Sequence, residues 1–185
     1  MMVELSLHIL DIAQNSIKAK ASLVEIEVKE DIAANLLTVI IKDNGCGMEK
    51  EFLNDVTNPF RTSRTTRRVG LGLSLFKSAA QLTGGSFDIQ SEVGKGTLVK
   101  AIFVHDSIDR QPLGDMASTM SIIIGGAPDT DFIYRHNYCG REFTFDTQSI
   151  RQVLGEEVPL NEPDILSWIE DSIRCETENI YGGAV

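Results

Sequence analysis

The chain has 185 residues, 42% of them hydrophobic, and a formal net charge of −10, which suits one medium domain with a small appendage. That charge argues against nucleic acid or an anionic membrane as a general partner, because holding phosphate backbones takes clustered Lys and Arg. The apolar runs fall short of the roughly 20 residues that cross a bilayer, the N-terminus lacks a signal-peptide pattern, and the three scattered cysteines fit a reducing cytoplasm.

Residues 4–20 carry a continuous helical period without Pro or Gly and predict a helix. Two strands follow, 23–30 with strict alternation and 35–42 more uniformly apolar. A turn at 43–47 leads to a short helix over 48–56 and then to a polar, irregular stretch, 57–70. An amphipathic helix over 71–85 stops at Gly84–Gly85, and a hairpin of strands 86–93 and 96–104 turns through "GKG". The segment 107–114, polar and carrying Pro112 and Gly114, reads as a linker. Beyond it come a helix at 115–125, a hairpin over 131–147 turning near Asn137–Gly140, and a helix after the Asp146/Thr147 cap. A last helix spans 163–180, with Ile165, Leu166, Trp168, Ile169 and Ile173 on its apolar side. His136 and Cys139 form an H-x-x-C pair with no second pair to complete a zinc site.

Two features call for chemistry. On the first helix, Glu4, His8, Asp11, Asn15, Lys18 and Ser22 fall within an arc of roughly 80° on an otherwise apolar cylinder. Such a stripe is either a slim solvated face or the lining of a polar cavity, and the cost of burying unsatisfied polar groups favours the cavity. The second strand runs into "DNGCGM" (43–48), which is good turn chemistry by itself but also sets a carboxylate at a strand end beside two backbone positions without Cβ.

Taken in order, these stretches resemble the GHKL superfamily of gyrase, the heat-shock chaperone, histidine kinases and mismatch-repair MutL. "LDIAQNSIKAKAS" (10–22) looks like its N-box and "DNGCGM" like its first glycine box. "NPFRTSRTTRRVGLGLSL" (58–75) resembles the phenylalanine box, ATP lid and second glycine box of the kinase branch, and "GKGT" (94–97) the last glycine-threonine box. The resemblance covers residues 4–104 and implies an α+β fold, the Bergerat-type two-layer sandwich of a mixed sheet with helices on one face. Residues 1–106 would form the ATP-binding domain and 115–185 a small α+β extension, either a partner-docking module or a passive cap.

The resemblance also implies a site for ATP and Mg²⁺. Asp43 would accept the adenine amino group, with Gly45, Gly47 and Met48 against the base and Thr97 supporting it directly or through water. Asn15 would hold magnesium through its amide oxygen and Lys18 would meet a phosphate. Phe60, Arg61 and Thr62, with Arg64, Arg67 and Arg68, would belong to the lid; Gly70, Leu71, Gly72 and Leu73 would open the helix that receives the phosphates. Asp11 stands where hydrolysing members place Glu as general base and where kinases more often place Asn. No phosphoacceptor helix, coiled coil or membrane sensor is read before the N-box, so the resemblance is to stand-alone cytosolic kinase-like ATPases, which include anti-sigma-factor kinases. Two outcomes stay open at this level. One is an enzyme passing the γ-phosphate to water or to a partner protein; the other is an ATP-regulated binding module with little turnover.

Overall fold

The computed structural model describes residues 3–51, 53, 72–155 and 158–182. Helix α1 (Leu5–Lys18) precedes strands β1 (Leu23–Asp31) and β2 (Leu36–Asp43). Helix α2 (Gly72–Leu82), strands β3 (Ser86–Glu92) and β4 (Gly96–Val104), and helix α3 (Met116–Gly126) follow. Strands β5 (Asp131–Tyr138) and β6 (Arg141–Asp146) and helices α4 (Thr147–Leu154) and α5 (Pro163–Tyr181) complete it. The strands form one mixed sheet in the order β3-β4-β2-β1-β5-β6, antiparallel throughout except where β5 runs parallel to β1. This is the expected α+β sandwich, and the C-terminal hairpin extends the same sheet.

Period-2 alternation decides which side chains face the helices. On β1, Val24, Ile26 and Val28 are buried; on β2, Leu37, Val39 and Ile41; on β4, Val99, Ala101 and Phe103; on β5, Phe132 and Tyr134. The opposite face carries Glu25, paired with Lys42 at 2.7 Å and Arg135 at 3.3 Å. Against the apolar face lie Leu5, Ile9, Ile12 and Ala13 of α1, Phe76 and Ala80 of α2, and Met120, Ile123 and Ile124 of α3. Each fully buried side chain of this size contributes on the order of 1.5–3 kcal/mol. The same alternation makes Asp43 the next residue on the core face of β2 after Ile41, so its carboxylate points inward at the strand's end.

Helix α1 starts without a side-chain cap. Its first free N–H groups are taken instead by the segment expected as a linker: Leu5 N–H donates to Pro112 O at 2.9 Å and Ser6 N–H to Leu113 O at 2.8 Å. Gly114, at φ +84°, permits this approach, since a Cβ there would strike Glu4 and Ser6. Helix α5 packs on α3 and on the β5–β6 hairpin through Ile169 and Ile173. Trp168, expected on its apolar side, is 54% exposed: it lies one position before Ile169, about 100° around the helix. Among the described residues no helix is long and apolar enough to cross a membrane.

Candidate functional site

The turn after β2 is held from three sides. Asn44 Oδ1 accepts from Ser22 N–H (2.9 Å) and Leu23 N–H (3.0 Å), tying the turn to the start of β1. Cys46 N–H donates to Ala19 O, and Gly94 N–H donates to Cys46 O, both at 2.9 Å. Gly47, at φ +65°, lies so close to Glu92 O that a Cβ would collide with that backbone, and a Cβ on Gly96 would strike Asp43 O. Gly47 and Gly96, one from each box, therefore pack against strand backbone and fix the frame around Asp43.

Within this frame Asp43 is 8% exposed and both carboxylate oxygens accept hydrogen bonds. Ser16 Oγ donates to Oδ2 at 2.7 Å, and Gly45 N–H donates to Oδ1 at 2.9 Å. Thr97 is its direct cross-strand neighbour on β4. Thr97 Oγ1 and Ser91 Oγ lie 2.9 Å apart, and Ser91 Oγ accepts from Met48 N–H at 2.9 Å. Asp43, Gly45, Gly47, Met48 and Thr97 thus gather at one end of the sheet, around a carboxylate with further lone pairs.

Helix α1 carries the rest. Asn15 and Asp11 are half-buried and Lys18 is exposed. Asp11 Oδ2 is buried with no hydrogen-bond partner among the described residues. It rests against the first residue of α2: a Cβ on Gly72 would collide with it. Leu73, next in α2, is 6% exposed and belongs to the core. One rung along, His8 stacks on Phe76 with ring centroids 5.3 Å apart. Its Nε2–H donates to Gln111 Oε1 at 3.0 Å, and its buried Nδ1 has no partner among the described residues. Burial holds the His8 imidazole below its usual 6.5, against the opposing pull of the Gln111 hydrogen bond and the Asp11 charge. The expectations for Phe60, Arg61, Thr62, Gly70 and Leu71, and for Arg64, Arg67 and Arg68, lie outside the described residues.

Some groups escaped the sequence reading. Ser16 neighbours the stripe but lies one residue off it, and nothing in a wheel pairs it with a residue 27 positions away. Glu30 reads as the polar end of a strand, yet it is 6% exposed and central to a buried cluster. Its oxygens accept from His136 Nε2–H at 3.1 Å, from Tyr181 Oη–H, and from His105 Nε2–H at 3.3 Å. His136, fully buried, accepts at Nδ1 from Tyr134 Oη–H at 3.0 Å. Burial pushes the Glu30 carboxyl up, but the hydrogen bonds from His136, Tyr181 and His105 together outweigh it and hold the group below 4.5. His136 thus serves this cluster, while Cys139, its H-x-x-C neighbour, sits exposed in the β5–β6 turn.

The profile of the histidine kinase-, DNA gyrase B- and HSP90-like ATPase family matches residues 3–107, more than half of the chain. The chain belongs to this family. Two relatives of this ATPase domain are a signal transduction histidine-protein kinase, ArlS, of Staphylococcus aureus and the non-motile and phage-resistance protein of Caulobacter vibrioides. The first is 35% identical over 94 residues, 48% of this chain and 21% of the relative. The second is 35% identical over 100 residues, 49% of this chain and 12% of the relative. The chain therefore matches only a minor part of these relatives' own length. The crystal structure of the N-terminal domain of a DNA repair protein shares the fold, with a TM-score of 0.51 at 16% identity over 77% of this chain and 52% of that one.

Proposed function

We propose that this ATPase-family chain binds Mg-ATP in the cleft between α1, the end of β2 and the start of α2, and passes the γ-phosphate to water or to a side chain of a cytosolic protein partner. The observation that carries the reading is Asp43. A buried carboxylate at the end of a strand, oriented by Ser16 and Gly45 N–H and framed by glycines, suits an exocyclic amine donor such as that of adenine. Thr97 and Met48 complete the base pocket through the Ser91 hydroxyl.

From the base, the polar stripe of α1 runs in the order Lys18, Asn15, Asp11, and meets the start of α2 at Gly72. Gly72 opens α2, so the positive end of that helix faces the same cleft, where it favours phosphate. Lys18 supplies a mobile positive charge to the phosphates. Asn15 offers the hard oxygen that Mg²⁺ requires; bound there, the ion would neutralise phosphate charge, completing its shell with phosphate oxygens and water. The Oδ2 of Asp11, without a partner among the described residues, supports a site completed by a ligand, in which this acceptor orients and deprotonates a nucleophile. Residues 1–106 would form the nucleotide unit and 115–185 a face for the protein partner.

The test is incubation with Mg-ATP labelled at the γ-phosphate, with nucleotide affinity measured in parallel. Label should appear as free phosphate or on a co-purified protein, and Asp11→Asn should abolish transfer while leaving affinity within about twofold. Failure of the wild-type chain to bind any adenine nucleotide would refute the reading.

A further inference from the structure

Ser91, Thr97 and Asp43 are consecutive cross-strand partners on β3, β4 and β2. Directly opposed residues share a face of the sheet, so the three polar side chains form one row at the strand ends. The next row on that face, Ile89, Val99 and Ile41, is apolar. Three contacts account for the protons of the polar row. Ser91 Oγ lies 3.0 Å from Gly96 O and 2.9 Å from Thr97 Oγ1, and accepts from Met48 N–H at 2.9 Å. A carbonyl oxygen only accepts, so the single Ser91 proton is committed to Gly96 O. The bond between the two hydroxyls is then made with the Thr97 proton, and Ser91 Oγ is saturated, with one bond given and two accepted. Thr97 Oγ1 keeps only lone pairs for a ligand. Asp43 is likewise an acceptor, its oxygens already held by Ser16 Oγ–H and Gly45 N–H. The backbone N–H groups of Asn44, Gly45, Cys46 and Met48 are all spent within the protein.

We propose that Ser91 determines base specificity: by holding the Thr97 proton it makes the row select a purine with a 6-amino group and reject one with a 6-oxo group. The inference rests on the Mg-ATP reading above and deepens it. A 6-amino purine brings N–H donors to a row that offers acceptors. Asp43 by itself discriminates incompletely, because a 6-oxo purine carries a proton on N1 that a carboxylate can accept. Its O6, beside N1, then meets the lone pairs of Thr97 with no proton between them. An acceptor desolvated against an acceptor loses its hydrogen bond to water without replacement, and mismatches of that kind discriminate steeply. Were Ser91 unable to hold it, the Thr97 proton could turn to the ligand and welcome O6. Ser91 thus acts through Thr97 and is a positioning residue.

The experiment compares ADP with inosine diphosphate, each with Mg²⁺, by calorimetry on the full chain and its variants, with a melting curve for each protein. The wild type should bind ADP at least about tenfold more tightly than inosine diphosphate. Ser91→Ala should weaken ADP and strengthen inosine diphosphate, narrowing the ratio about fivefold or more. Ser91→Thr, which keeps the hydroxyl, should restore the wild-type ratio. Thr97→Val should narrow the ratio too, and adding Ser91→Ala to it should change the ratio no further, since the relay is already cut. A merely structural serine would give a different result: Ser91→Ala would lower both affinities by the same factor, and that outcome overturns the proposal. A Thr97→Val ratio equal to that of the wild type also overturns it, which keeps the test open should Ser91→Ala fail to fold. Equal wild-type affinity for the two nucleotides overturns the proposal and leaves nucleotide binding standing, whereas binding of neither defeats the Mg-ATP reading and the proposal with it.

Discussion

Asp43 Oδ2 accepts a 2.7 Å hydrogen bond from Ser16 Oγ, and with the Gly45 N–H on Oδ1 that contact aims the carboxylate. Ser16→Ala removes a charge-assisted bond inside a buried site, an effect of about 1.5–3 kcal/mol shared between folding and ligand orientation. Adenine nucleotide affinity should fall about tenfold with the thermal midpoint little changed, checked by calorimetry and a melting curve; unchanged affinity would remove Ser16 from the site. Gly72 makes a sharper case. Any Cβ there collides with Asp11 Oδ2, so Gly72→Ala must displace either the carboxylate or the start of α2. Turnover should drop at least as far as in Asp11→Asn, with affinity falling as well, which kinetics and calorimetry on both variants would separate. The positions of Asp11 and Asn15 on one stripe of α1 and of Asp43 at the end of β2 were legible in the sequence because helical and strand periodicities place them on definite faces; the roles proposed for them rest on the family resemblance. Ser16 and Gln111 were not: their partners lie 27 and 103 residues away, and only the folded chain brings such groups together.

At the scale of elements, alternation and helical period sufficed for the strands and helices of the described residues, with ends differing by a few residues where fraying and caps decide, while the short helix expected over 48–56 lies largely outside those residues. Pairing was not legible. Alternation shows which face of β5 is buried, but nothing in it says that β5 lies parallel to β1. Nor does a polar stretch with Pro112 and Gly114 announce that its carbonyls cap α1. Both contacts bear on where the chain can be cut. Ending it at Val104 would strip the partner from the Leu23–Glu30 edge of β1 and leave the first N–H groups of α1 unpaired. That fragment should melt well below the full chain and aggregate, as light scattering and calorimetry would show. A soluble fragment of unchanged midpoint would mean that the C-terminal strands contribute little to the sheet.

Across the whole molecule, the Glu30 cluster ties β1, the end of β4, β5 and the last turn of α5 into one buried knot, at the opposite end of β1 from Asp43. Because the folded state holds Glu30 below its ordinary 4.5, its contribution is present above that value and lost as pH falls through the folded one. The thermal midpoint should therefore decline as pH drops below about 4.5, more steeply in the wild type than in Glu30→Gln. Beside this knot, residues 113–117 and α5 line a cavity of about 420 Å³, far along the sheet from the glycine boxes. The nucleotide reading places its ligand at the Asp43 end alone, and one titration separates the two ends. Mg-ADP titrated by calorimetry into the wild-type chain and into Asp43→Asn should bind the former with micromolar-range affinity and the latter at least tenfold more weakly, since an amide sets a donor against the Ser16 hydroxyl, Gly45 N–H and the adenine amine. Equal affinity in the two proteins would contradict the account.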